Sequence, residues 1–193
     1  MSAATLPAPP TSPTRTPRPL RWTCDEFHRL GDLGLFEGRG ARLIDGVILE
    51  EGPMNPPHAI CIGLVHYVLQ TAFGVGWWPR IQLPLLLGLH TDPLPDAAVV
   101  PGSPRDYAAH PATAALVVEV ADSSLHFDLH DKRRLYAEAG IAEYWVIDVT
   151  GRVLHVFRDP HANDYRAHLT LGVADSVQPL AAPAAVRVAD LLP

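Results

Sequence analysis

Two apolar runs joined by a helical segment constrain the fold of this chain more than any other feature. Residues 115–120 and 144–149 are nearly all apolar, as expected of strands buried on both faces of a sheet. The residues between them predict a helix that begins near Asp128, with Asp128 as its cap. A strand, a helix and a strand in this order predict a parallel βαβ unit, whose crossover is almost always right-handed. Lys132, in the first turn of that helix, is then expected to lie close to Glu119.

The rest of the chain predicts one α/β domain built around this unit. Its further helices, hairpin and strands are predicted at about residues 23–30, 43–49, 58–73, 77–87, 97–100, 153–157 and 165–171. The helix over 58–73 is expected to bury Ile60, Leu64, Val68 and Leu69. Residues 1–20 contain six prolines among Ser, Thr and Ala, a composition that predicts a disordered tail. Residues 21–193 would then form the single domain.

Charge and composition exclude several classes of protein. The net charge of -6 and the pI of about 5.9 argue against a domain that coats nucleic acid without specificity, because such domains are usually basic. No apolar run reaches the length of a membrane span, and the N-terminus has no signal-peptide core. Two cysteines, Cys24 and Cys61, give no disulfide framework, which suits a reducing cytoplasm.

The single lysine of the chain, Lys132, belongs to a set of residues with the chemistry of a metal-dependent phosphodiesterase. All other basic side chains apart from histidine are arginines, and lysine supplies a compact amine that arginine lacks. Asp96 follows Pro95, and Glu119 is an acid inside an apolar strand, where an ionised carboxylate is costly unless it is paired or binds a metal. Both carboxylates would offer hard oxygen ligands to Mg²⁺ or Mn²⁺, with the Val120 carbonyl as a third ligand.

In this interpretation Lys132 orients the attacking water or stabilises the developing charge. The alternative is purely structural. Asp96 would cap a turn after Pro95, and Glu119 would be a buried acid paired with an arginine.

Several segments together resemble a known family, the Uma-type "putative restriction endonucleases" of the PD-(D/E)XK nuclease superfamily. The matching segments are Pro95-Asp96, Leu116 to Ser124, Asp128-x-x-x-Lys132-x-x-x-Tyr136, Ala139 to Asp148, Leu43-Ile44-Asp45-Gly46 and Pro56-x-His58. The resemblance covers roughly Trp22 to the C-terminus. It implies a restriction-endonuclease-like core, in the order helix, three strands, helix, strand, and metal-dependent cleavage of DNA.

The resemblance also implies roles for individual residues. It places the metal on Asp96 and Glu119, gives Lys132 the role of the superfamily lysine, and places His58 near the active site. Many superfamily members carry that lysine two residues after the Glu, where this chain has Ala121. Family members often have Glu before Leu-Ile-Asp-Gly, where this chain has Arg42, so a ligand is lost there. An inactive nuclease fold that binds DNA or protein is therefore the alternative function.

Other candidate residues follow from the sequence. Arg133, Arg134 and Arg105 are predicted to contact DNA phosphates, with a solvated surface as the equal alternative. His126 and His130 flank Asp128 at a spacing that would also suit a zinc site. A homodimer is predicted, because two symmetry-related active sites suit the cleavage of both DNA strands. Whether the substrate is DNA or RNA stays open.

Overall fold

The computed structural model of the protein describes residues 17–193. Of the tail predicted over residues 1–20, only residues 17–20 are described; they are exposed and form no regular secondary structure. The rest of that prediction lies outside the described residues. Between residues 17 and 193, no helix is both long and apolar enough to cross a membrane.

The N-terminal part of the described chain forms a helix, a β-hairpin and a long second helix. These elements are α1 (Cys24–Asp32), β1 (Gly40–Ile44), β2 (Val47–Glu51) and α2 (Pro56–Phe73). The predicted capping box begins α1: the Thr23 hydroxyl accepts from the Glu26 amide, and the Glu26 carboxylate accepts from the Thr23 amide. Asp45 and Gly46 both have positive φ, which a two-residue hairpin turn between β1 and β2 requires.

A mixed six-stranded sheet forms the centre of the fold. Its strands are β3 (Trp77–Ile81), β4 (Ala97–Pro101), β5 (Leu116–Ala121), β6 (Glu143–Asp148), β7 (Val153–His161) and β8 (Asp164–Gly172). They lie side by side in chain order; β5 and β6 are parallel, and all other neighbours are antiparallel. The parallel βαβ unit is therefore confirmed, and with it the α/β class and the order helix, three strands, helix, strand.

The helical segment between β5 and β6 has three parts. They are α3 (Leu125–Phe127), a π-helical turn (Asp128–Lys132) and α4 (Arg133–Glu138). The helix thus begins before Asp128, and the prediction that Asp128 caps it is wrong. Asp128 lies inside the segment and is buried. Its carboxylate accepts a hydrogen bond from the Ser124 hydroxyl, and its backbone carbonyl accepts one of 2.9 Å from the Tyr144 hydroxyl. Lys132 ends the π-helical turn and is not in the first turn of the helix.

One further sequence prediction is corrected. The strand predicted over residues 77–87 ends at Ile81, because Gln82 adopts a positive φ of 48° and Pro84 has no amide to donate. The C-terminal stretch adds a short pair of strands and a 3₁₀ helix. They are β9 (Ser176–Val177), β10 (Val186–Arg187) and the 3₁₀ helix Val188–Leu191.

α2 buries a different face from the one predicted. Its buried residues are Cys61, Ile62, Val65, Leu69, Ala72 and Phe73. Of the predicted face only Leu69 is fully buried, and Ile60 is 54% exposed. The prediction failed because apolar residues occupy four consecutive positions, 59–62, so that the helical period does not single out one face.

The sheet has a separate core on each face. On one face Val118 and Val120 pack with α2 and the C-terminal segment. On the other, Val117 and Ala121 pack with α4 and the β1–β2 hairpin. Since β5 is buried on both faces, it carries apolar residues at nearly every position. Glu119 lies between Val117 and Ala121 on the second face, the side on which the π-helical turn brings Lys132 to the sheet.

Candidate active site

A cleft of about 440 Å³ opens where the hairpin, the start of α2 and the strands β4 and β5 meet. Four of the residues predicted for the active site line it, together with the loop that leads into α3. They are His58, Asp96, Glu119 and Lys132, and Val120 also reaches the cleft. The fold therefore brings together side chains that are as much as 74 positions apart in the sequence (58 to 132).

Asp96 is held at the floor of the cleft by two neighbouring elements. Its Oδ2 accepts a hydrogen bond of 2.8 Å from the Val120 amide, across from β4 to β5. Its Oδ1 lies 3.2 Å from His58 Nε2 at the first turn of α2. The hydrogen bond to Asp96 raises the pKa of His58, although burial of the imidazole opposes that rise. Asp96 thus has a fixed orientation before any ligand arrives.

Glu119 and Lys132 form a buried pair. Lys132 Nζ lies 3.0 Å from Glu119 Oε2 and 2.9 Å from Asp128 Oδ1. Glu119 Oε1 accepts a hydrogen bond of 2.7 Å from the Tyr136 hydroxyl. The predicted proximity of Lys132 and Glu119 is confirmed. The partner of Glu119 is this lysine and not an arginine, as the structural alternative had supposed.

The buried cluster contains fewer cations than acids. Lys132 is one cation between two buried carboxyl groups, Glu119 and Asp128, so it can neutralise only one of them when both are ionised. Burial raises the pKa of Glu119 to about 8, and the Lys132 ammonium opposes that rise. Burial alone would lower the pKa of Lys132, but the two carboxylates raise it above its ordinary value. Lys132 therefore stays protonated, whereas the raised pKa of Glu119 favours its neutral form.

The Val120 carbonyl faces a position where the sheet offers no donor. The register of β4 and β5 pairs Ala97 with Val118. Two residues further along, this register sets Pro95 opposite Val120, and proline has no amide hydrogen to donate. The Val120 amide itself is used by Asp96. The carbonyl oxygen is therefore a chemically suitable third oxygen ligand beside the two carboxylates.

The three arginines predicted to bind DNA lie outside the cleft. Arg133 Nε lies 3.1 Å from Asp164 Oδ1, and Arg134 pairs with Asp45 of the hairpin turn. Arg105 is exposed on the 3₁₀ turn after β4. The structure does not group these side chains with Asp96 and Glu119, and their contact with phosphate stays a prediction.

His126 and His130, the two histidines of the alternative zinc site, stack on each other. The rings of His126 and His130 lie 4.3 Å apart, and His130 Nδ1 lies 2.8 Å from the His126 carbonyl oxygen. Asp128 points away from them to Lys132. Within residues 17–193, no three His, Cys, Asp or Glu side chains converge as a ligand set.

Sequence reasoning missed two residues that position the candidate site. Asp128 fixes Lys132 from the side opposite Glu119, and Tyr136 fixes Glu119. Both belong to the pattern Asp128-x-x-x-Lys132-x-x-x-Tyr136, whose spacing of four places successive side chains on one helical face. This spacing was the sequence feature from which both residues could have been predicted.

Arg42 occupies the hairpin wall of the cleft, at the position where the family resemblance implied Glu. Its Nε lies 3.3 Å from Glu51 Oε2, and Glu50 and Glu51 also line the cleft. The hairpin thus still brings carboxylates to this wall, but one of them is paired with Arg42.

The fold and the cleft define this protein as an α/β protein with a nuclease-type fold. A crystal structure described as a putative nuclease belonging to DUF820 from Anabaena variabilis ATCC 29413 is similar, with a TM-score of 0.67 and 19% sequence identity. The similarity covers 88% of this chain and 96% of that chain. The chain belongs to the Uma2 family, described as "Putative restriction endonuclease", whose model matches residues 24–189. No curated protein matches the chain.

Proposed function

We propose that this protein is a divalent-metal-dependent endonuclease that hydrolyses DNA phosphodiester bonds. The observation that carries the proposal is the meeting of Asp96, Glu119, Val120 and Lys132 in one cleft. Membership of the Uma2 family supports the same chemistry. We further propose that the enzyme is cytoplasmic and acts as a homodimer, which would place one cleft on each DNA strand.

The donor set fits Mg²⁺, with Mn²⁺ as a substitute. Asp96 and Glu119 would hold the ion through hard carboxylate oxygens, and the Val120 carbonyl would add a third ligand. Mg²⁺ usually keeps several waters, so two carboxylates and one carbonyl suffice. Glu119 and Asp128 share the single Lys132 cation, so a metal ion would supply the second positive charge that ionisation of both carboxyl groups requires. When bound, such an ion lowers the pKa of a coordinated water and polarises a phosphoryl oxygen.

The residues of the chain have separate tasks in this proposal. Lys132 stays protonated between Glu119 and Asp128. Two of its three ammonium hydrogens face these carboxyl groups, and the third can be donated to water or to a phosphoryl oxygen. His58 orients Asp96, and the hydrogen bond between them raises the pKa of His58, which favours its role as a donor near the scissile phosphate. Positioning of these groups before the substrate arrives reduces the reorganisation that the reaction requires.

DNA binding outside the cleft would rest on Arg133, Arg134 and Arg105. To contact phosphate, Arg133 and Arg134 would exchange their present carboxylate partners for phosphate oxygens. Such contacts release counterions, so the affinity for DNA is expected to fall steeply with salt.

Cleavage of supercoiled plasmid tests the proposal. The wild-type protein is expected to nick or linearise plasmid with Mg²⁺ or Mn²⁺ but not with EDTA. Asp96→Asn should lose this activity, because the amide is a poor ligand although it still accepts the Val120 hydrogen bond. Asp25→Asn, an exposed position on α1, is the matched control and should cleave like the wild type. Equal activity in Asp96→Asn would contradict the proposal.

The second candidate function is an inactive nuclease fold that binds DNA or protein, and Arg42 is the observation that favours it. An inactive protein has no need of Mn²⁺, so calorimetric titration of Mn²⁺ separates the two functions. If Arg42 has inactivated the cleft, Arg42→Glu should raise the affinity for Mn²⁺ and restore cleavage that the wild type lacks. If the wild type binds Mn²⁺ and cleaves, the inactive function is excluded.

A further inference from the structure

The β7–β8 hairpin carries a group of three metal-ligating atoms that lie outside the cleft. His155 Nδ1 lies 3.3 Å from His168 Nε2. Thr170 Oγ1 lies 3.2 Å from the first nitrogen and 3.5 Å from the second. The three atoms therefore form a nearly equilateral triangle.

The strand register explains why these side chains meet. His155 on β7 pairs with Thr170 on β8, and Phe157 pairs with His168, so that all four lie on one face of the sheet. The His168 ring stacks on Phe157 with centroids 4.3 Å apart and an interplanar angle of 12°. This packing fixes one imidazole, and the ladder of hydrogen bonds fixes the distance to the other.

We propose that His155, His168 and Thr170 bind a divalent transition-metal ion of the zinc class. Zinc binds imidazole nitrogen at about 2.0–2.1 Å, so neighbouring ligand atoms of a tetrahedral site are about 3.3–3.4 Å apart. The triangle on the hairpin has edges of 3.2–3.5 Å. One ion above it reaches all three atoms with little movement, and a water takes the fourth position.

The chemistry of the donors selects the metal. Imidazole nitrogen suits Zn²⁺, Ni²⁺ and Cu²⁺, whereas Mg²⁺ prefers oxygen ligands. Within the described chain no third His, Cys, Asp or Glu joins the two histidines, so the Thr170 hydroxyl is the third donor. We therefore expect a reversible site that binds more weakly than a four-residue structural zinc site.

Charged and titratable groups surround the proposed metal site. Burial lowers the pKa of both His155 and His168, His168 lowers the pKa of His155 further, and Arg133 lowers that of His168. A lowered pKa favours the neutral imidazole, whose lone pair can bind a metal. Arg133 pairs with Asp164 at 3.1 Å, and the two charges act on His168 in opposite directions, since Arg133 lowers its pKa and Asp164 raises it. Asp148 lies on the same face of the sheet and favours positive charge at His155.

This site is separate from the cleft and does not rest on the proposed nuclease function. The registers place Glu119, Val146 and His155 in one row across β5, β6 and β7. Two strand spacings separate Glu119 from His155, a distance of about 10 Å. None of the three hairpin residues lines the cleft.

Calorimetric titration with ZnCl₂ tests the site. The wild-type protein is expected to bind one equivalent of Zn²⁺ that His155→Ala and His168→Ala each lose. Two variants serve as matched controls and should keep this equivalent: His126→Ala/His130→Ala, which removes the other histidine pair, and Glu119→Gln in the cleft. Co²⁺ should give the intense visible absorption of a tetrahedral site in the wild type and in both controls only.

A fold control accompanies the titration. In the Glu119→Gln background, which removes a ligand from the cleft, Zn²⁺ should raise the Tm because it binds the folded state, and the added change His168→Ala should remove this rise. Both proteins should have similar circular dichroism spectra without metal. The proposal is overturned if the wild type binds no Zn²⁺, or if His155→Ala and His168→Ala bind it as the wild type does.

Discussion

Replacement of Glu119 by glutamine is expected to abolish both Mn²⁺ binding and metal-dependent DNA cleavage while the protein stays folded. Glutamine has nearly the same volume as glutamate, and its amide oxygen still accepts the hydrogen bond from Tyr136. Lys132 keeps Asp128 as its counter-charge at 2.9 Å. The change therefore removes a ligand and a charge but no packing. The free energy of unfolding should change by no more than about 1.5 kcal/mol, the scale of one hydrogen bond.

Asp128→Asn is the matched control for this variant. Asp128 and Glu119 are both buried carboxylates in contact with Lys132, but only Glu119 lines the cleft. Asp128→Asn should therefore keep Mn²⁺ binding, as measured by calorimetry, and still show plasmid cleavage.

Two outcomes would count against the metal-ligand role of Glu119. If Glu119→Gln binds Mn²⁺ and cleaves plasmid like the wild type, Glu119 is only the structural partner of Lys132. If Asp128→Asn loses Mn²⁺ binding as completely as Glu119→Gln, the measured effect is the loss of charge near Lys132 and not the loss of a ligand.

The sequence predicted those features that depend on neighbouring positions in one element. An apolar run with no alternation indicated a strand buried on both faces, and β5 and β6 are such strands. The parallel crossover between them follows from the handedness rule. It brings Lys132 to within 3.0 Å of Glu119, as expected.

Features that depend on distant contacts could not be predicted. Arg133 and Arg134 appeared as free surface charges, but their partners, Asp164 and Asp45, are 31 and 89 positions away. The triangle of His155, His168 and Thr170 depends on the register of two strands, which no local pattern specifies. Sequence spacing shows which residues share an element, but not which elements become neighbours.

The predicted start of the helix after β5 was wrong for a different physical reason. Asp128 has the residue type of a helix cap, and capping is its commonest local role. In the fold its carboxylate is turned inward to Ser124 and Lys132. A π-helical turn at this place widens the backbone, and such turns often occur at functional sites. Tertiary contacts thus replaced the local preference where the candidate site required a second carboxylate beside the lysine.

Arg158→Met is expected to cause the largest loss of stability among single surface-accessible changes, about 3–5 kcal/mol in the free energy of unfolding. Its partner Glu143 is fully buried, and Glu143 Oε1 accepts from Arg158 Nε at 2.9 Å and from its terminal nitrogen at 2.6 Å. Glu143 also accepts from the Trp145 indole and the Leu180 amide. Removal of the guanidinium leaves a buried carboxylate without a cation, which is much costlier than the loss of an exposed pair.

Urea denaturation measures this loss, and two further variants isolate its cause. Arg187→Met breaks the exposed pair with Asp190, which has a similar distance of 2.6 Å, and should cost less than about 1 kcal/mol. The double variant Arg158→Met/Glu143→Gln removes the buried charge as well. The amide oxygen of the new glutamine can still accept the hydrogen bond from the Trp145 indole. The double variant should therefore be more stable than Arg158→Met alone. If it is equally or less stable, the loss in Arg158→Met comes from packing and not from the unpaired carboxylate.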